Sequence, residues 1–64
     1  MPLATKDTPL GSLVRPMWGH EFVPLTEWTH CTPWSPKTVE LHGKVVYADG
    51  RKEYIPLSQI VVKK

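Results

Sequence analysis

Cysteine is nearly absent from this chain: Cys31 stands alone. One thiol cannot form an internal disulfide, which excludes the small secreted scaffold stapled by several bridges. A reducing, cytoplasmic setting is the expectation. No apolar run approaches the roughly 18 residues that a membrane helix needs. The opening "MPLATKDTPLGS" lacks the basic-then-apolar order of a signal peptide. There is no block of like charge either. Eight Lys and Arg face six Asp and Glu, for a net charge of +2 and a pI near 8.9. That balance is compatible with nucleic acid but does not demand it. Long helices are disfavoured by seven prolines, each lacking an amide donor and clashing with the preceding turn.

What is there is small. Sixty-four residues make one domain at most. A chain of this size buries only about 60% of its unfolded surface, so stability is expected to be marginal and a deep catalytic cleft hard to build. Hydrophobic residues at 41% and charged residues at 22% are ordinary for a globular chain. Residues 1–11 are polar, with Pro2, Pro9 and Gly11 and no periodicity. They read as a flexible or extended N-terminal arm, followed by one domain over residues 12–64.

Within that domain, Ser12 to Arg15 reads as a strand ended by Pro16. "EFVPLTEWTHC" is open: Phe22 and Val23 suggest a strand, with Pro24 at an edge or bulge, whereas "LTEWTHC" also suits one or two helical turns. "TPWSPK" is a loop, because residues before proline are pushed out of the helical region. From Thr38 the alternation of Val39, Leu41, Val45 and Tyr47 has the period of a half-buried strand. Ile55 and Leu57 continue it on a return strand. A two-residue Asp49–Gly50 loop would place Ile55 on the face opposite Val45. A three-residue loop, Ala48–Asp49–Gly50, sets Tyr47 opposite Arg51 and gathers Val45, Tyr47, Ile55 and Leu57 on one face. It also puts glycine where such a loop needs a left-handed residue. Pro56 ends the pairing, "PLSQ" is a single turn, and "IVVKK" is a last strand whose lysines discourage edge pairing.

The ending, with Tyr54, Ile55 and Pro56, then Leu57 to Gln59, then Ile60 to Val62, resembles that of a Src-homology-3-like small β-barrel. There a "YIP" strand leads into one tight helical turn and a short closing strand. The resemblance covers the last third of the chain and implies a mainly β fold, a single small antiparallel β-barrel. Such barrels host many activities, and this chain lacks the acidic run of the proline-rich-peptide binders. A second pattern is similar to the winged helix of phage excisionases, through Leu25, Glu27, Trp28, Thr38, Val39, Gly50, Arg51 and Tyr54. Ser35 and Pro36 would open its recognition helix. Between Ser35 and Gly43 there is room for only about two turns, with Lys37 the one permanent cation and Glu40 beside it.

Three tryptophans are many for so few residues. Each buries a large area in a thin core, and each is also a typical interface anchor. At least one is expected in the core, and Trp34, among prolines, is expected to be exposed. Trp18, Trp28, Trp34 and Tyr54 are the candidate partner-binding residues. Arg15, Lys37, Lys44, Arg51 and Lys52 are the candidate nucleic-acid contacts, with Arg51 on the inner-face parity at the hairpin tip and Lys44 and Lys52 facing out. Lys63 and Lys64 complete the basic set. His20, His30, Cys31 and His42 fit no pair-plus-pair zinc spacing, so the expectation is three surface histidines and one buried thiol. Cys31 beside His30 is not a dyad, since adjacent strand residues point to opposite faces. No catalytic set and no cofactor motif is present. The expectation is therefore a non-enzymatic module that binds and modulates a protein partner, with a homodimer as a further possibility. Its size fits an accessory protein of a phage or mobile element. The alternative is a DNA-binding regulator.

Overall fold

The computed structural model describes residues 2–63; Met1 of the arm and Lys64 of the basic set lie outside them. Five strands follow in order: β1 (Leu13–Pro16), β2 (Val23–Thr29), β3 (His42–Val46), β4 (Lys52–Pro56) and β5 (Ile60–Val62). They form one antiparallel sheet in the order β4-β3-β2-β1-β5. Among the described residues no pairing joins β4 to β5, so the sheet is not closed.

β2 serves two neighbours. Val23 and Pro24 pair with β1, and Leu25 to Thr29 pair with β3. Pro24 is tolerated because the next residue, Leu25, is the one whose amide turns to the β1 side, onto the Ser12 carbonyl; the Pro24 nitrogen points toward β3, whose ladder begins only at Leu25, so no bond is lost for want of its donor. The register slips between Leu25 and Glu27. The bulged residue, Thr26, donates its hydroxyl to the Lys44 carbonyl at 2.7 Å. An extra residue on one strand reverses the alternation beyond it, so Leu25 and Trp28 both reach the core although three positions separate them. This strand settles the open reading of "LTEWTHC". Among the described residues the one helical element is the 3-10 turn Leu57–Gln59, so neither helix of the excisionase-like pattern forms.

The β3–β4 hairpin has the three-residue loop. Val45 pairs with Glu53 and Gly43 with Ile55, and the Tyr47 amide donates to the Arg51 carbonyl at 2.8 Å. Gly50 has a φ of +93°, a left-handed conformation that costs little only without a Cβ. The alternation read from Val39 is corrected, however. Val39 is 96% exposed, because Thr38 closes a turn onto the Ser35 carbonyl and β3 begins only at His42.

Val14, Val23, Leu25, Val45, Ile55 and Ile60 make the core, with Ala4 buried among them and Trp28, Tyr47, Leu57 and Val62 packed at its rim. Each fully buried aliphatic side chain contributes about 1.5–3 kcal/mol. Ala4 is there because the opening stretch is extended along β5. Leu3 bridges to Val61, the Ala4 amide donates to the Ile60 carbonyl, and the Val62 amide donates to the Pro2 carbonyl. Trp28 ties the same stretch down from the other side, through its indole N–H to the Thr8 carbonyl at 3.2 Å.

Candidate functional site

Side-chain parity divides the β3–β4 hairpin. Gly43, Val45, Glu53 and Ile55 face the core, while His42, Lys44, Val46, Lys52, Tyr54 and Pro56 face away. The connection from β2 to β3 folds over part of that outer face. A bridge between Thr32 and Ser35 and hydroxyl bonds from Thr32 and Thr38 to the Ser35 carbonyl shape it. Trp34 stands on this loop, edge-on to Tyr54 with centroids 5.7 Å apart and edge-on to His42 at 6.4 Å. Both are favourable aromatic geometries. Trp34 remains 66% exposed, so Trp34 and Tyr54 form an accessible aromatic platform on the outer face of the β3–β4 hairpin.

The covering loop changes two expectations. His42 is buried rather than on the surface; its Nδ1 lies 2.8 Å from the Glu40 carbonyl, and since a carbonyl only accepts, Nδ1 carries the proton. Cys31 is exposed rather than buried, because β2 ends at Thr29 and Cys31 lies in the loop beyond it. Its backbone is held there by the Thr29 hydroxyl.

The other two tryptophans lie elsewhere. Trp28 is half-buried at the core rim. Trp18, 53% exposed in the β1–β2 loop, donates its indole N–H to Glu53 at 3.1 Å. Glu53 also accepts the Tyr47 hydroxyl. That carboxylate thus joins the β1–β2 loop to the hairpin tip. Partial burial pushes the Tyr47 hydroxyl pKa up to about 12, and the Glu53 carboxylate beside it acts in the same direction. Nothing local in the sequence signals the link between Trp18 and Glu53, which lie 35 residues apart.

The basic residues are dispersed and mostly engaged. Arg15 donates to the carbonyls of Pro16 and Gly19, bracing the β1–β2 loop, and lies over Phe22. Lys44 is 3.6 Å from Glu27 across the bulge. Arg51 pairs with Asp49 at 2.8 Å and covers the Tyr47 ring. The Arg51 amide, and then its guanidinium, hold the Asp49 carboxyl below its usual value, and Asp49 in turn raises Arg51. Lys52 is exposed on the same face as Tyr54, and Lys37 is exposed in the loop that carries Trp34. Among the described residues there is no pocket, no helix long and apolar enough to cross a membrane, and no group of three metal-type ligands.

No family model matches the chain, and neither a curated protein nor a solved structure matches it.

Proposed function

We propose that this chain is a Src-homology-3-like small-barrel module that binds and modulates a protein partner without catalysing a reaction. The fold likeness is supported by the strand order β4-β3-β2-β1-β5, by a bulged β2 shared between two ladders, and by a 3-10 turn linking β4 to β5. The observation that carries the binding reading is the Trp34–Tyr54 platform. A tryptophan two-thirds exposed, yet held in one orientation by two rings, presents a large apolar area with little freedom left to lose. Those are the properties of an interface anchor. Lys37, on the loop that carries Trp34, and Lys52, on the face that carries Tyr54, favour an extended segment that carries apolar and acidic side chains.

The test is selection of peptides from a random display library on the folded protein, followed by affinity measurement on Trp34→Ala. Selected peptides are expected to lose about 10- to 100-fold in affinity, the scale of an interface hot spot. Equal binding to both proteins refutes the platform. Titration with a short DNA duplex provides the contrast. Salt-dependent shifts of the Lys44, Lys52 and Tyr54 resonances would transfer the surface to nucleic acid, because phosphate contacts release counterions.

A further inference from the structure

The two outer strands of the sheet differ in one respect. β5 is flanked by β1 on one side and, on the other, by the opening stretch through the Leu3–Val61 bridge. β4 pairs only with β3 among the described residues. In an antiparallel ladder alternate residues turn both backbone groups toward the neighbour. Tyr47 bonds to Arg51 and Leu57 to Leu41, which fixes the parity: residues 53 and 55 face β3. Lys52 and Tyr54 therefore direct N–H and C=O outward, and Pro56 directs a C=O alone.

From this edge we infer that the chain pairs with a second copy of itself, β4 against β4, antiparallel about a two-fold axis at Tyr54. Three registers are conceivable, and the residues choose among them. An axis at Ile55 would set Tyr54 against Pro56, and the missing proline donor leaves two bonds. An axis at Glu53 allows four bonds but sets the two Glu53 side chains directly opposite, a destabilising like-charge pair. An axis at Tyr54 also gives four bonds: each Tyr54 amide to the Tyr54 carbonyl of the other copy, and each Lys52 amide to the opposite Pro56 carbonyl. Glu53 then faces Ile55, and no like charges meet. Each Lys52 lies diagonal to the other Tyr54 ring, within reach for a cation–π contact. The edge is itself charge-balanced, with one lysine and one glutamate.

The same geometry limits the assembly. An isologous contact consumes the same strand on both copies and closes at two. The far edge is already covered by the opening stretch, so the sheet does not extend into a fibre. A five-residue edge flanked by one aromatic pair falls below about 1,200 Å², the class of weak contacts, so the dimer forms in the micromolar to submillimolar range. It lays the two Trp34–Tyr54 platforms side by side as a double surface. The pairing stands whether or not those platforms hold a peptide.

Sedimentation velocity of the full chain from about 10 μM to about 1 mM is the test, with amide exchange measured at both ends of the range. The expected result is a shift from 7.3 kDa toward twice that mass. Exchange at Lys52 and Tyr54 should slow with concentration while Glu53 and Ile55 stay unchanged. Lys52→Pro removes an outward donor at a position where an edge strand tolerates proline, and should weaken the dimer at least about tenfold. A single 7.3 kDa species throughout overturns the inference. So does a dimer in which Lys52 and Tyr54 exchange at a rate independent of concentration. Protection of those two amides only when a selected peptide is added assigns the edge to a foreign strand, and refutes self-pairing while leaving the binding reading intact.

Discussion

Gly43 is the second residue of β3 and faces Ile60, Leu25 and Trp28 in the core. A Cβ there would lie 2.7 Å from Ile60 Cδ1, 2.8 Å from Leu25 Cδ1 and 3.3 Å from Trp28 Cζ3. Ordinary contact begins at 3.4 Å. Two terminal methyls must therefore withdraw, and both belong to side chains that are essentially inaccessible to solvent. Inserting a methyl group into a packed core costs about 1–3 kcal/mol. Against it stands the gain from replacing glycine in a strand, about 0.5–1 kcal/mol, through the unfolded chain's lost freedom. The first effect wins. Gly43→Ala should destabilise by about 1 kcal/mol, which lowers the melting temperature by about 4–8 °C in a domain this small. Thermal unfolding followed by tryptophan fluorescence measures it. The clash also predicts a coupling. Ile60→Val deletes the methyl that is closest to the new Cβ and alone costs about 0.5–1.5 kcal/mol. The double variant should be more stable than the two single effects summed, by at least about 0.5 kcal/mol. A Gly43→Ala protein melting at or above the wild type, or strict additivity with Ile60→Val, would refute the packing argument.

Tyr47 predicts a pH dependence at the alkaline end. Its hydroxyl pKa is raised from 10.0 to about 12 in the folded chain, so between those values the folded state holds the proton more tightly. The stability it contributes is complete below pH 10 and falls as pH rises toward 12; urea unfolding across that window should show a decline that Tyr47→Phe flattens. At the other end of the sheet, Ala4→Asp would force a carboxylate without a partner into the core beside Ile60. The expected loss is at least about 2 kcal/mol, read from the urea midpoint, and an unchanged midpoint would show that the opening stretch contributes nothing to the fold.

The hairpin was legible because two independent constraints agree there. The period-two apolar pattern and the need for a left-handed residue both select Ala48–Asp49–Gly50. β2 was not, and the reason is physical. The bulge at Thr26 converts alternation into a spacing of three between Leu25 and Trp28, which is the helical spacing. A strand with one extra residue therefore imitates a helical turn, and the excisionase-like pattern drew on that imitation. Val39 shows the converse: it has the right parity and no strand to belong to. His42 and Ala4 depend on segments that pack over them from elsewhere in the chain, and no local pattern reports burial of that kind; Cys31 is exposed because β2 stops at Thr29. The exposure of Trp34 was legible from its prolines. Its partnership with Tyr54 rests on a long loop and was not spelled out by either residue's neighbours.

The two ladders at the ends of the sheet also differ in how far apart their residues lie along the chain. Tyr47 and Arg51 close the β3–β4 hairpin over four residues, whereas Val14 meets Val62 across 48. Ring closure over the longer span costs about 2 kcal/mol more in chain entropy. The hairpin that carries Tyr54 is thus the natural nucleus. The seam between β1 and β5 zips last in folding and parts first under stress, so the halves of the sheet need not come apart together.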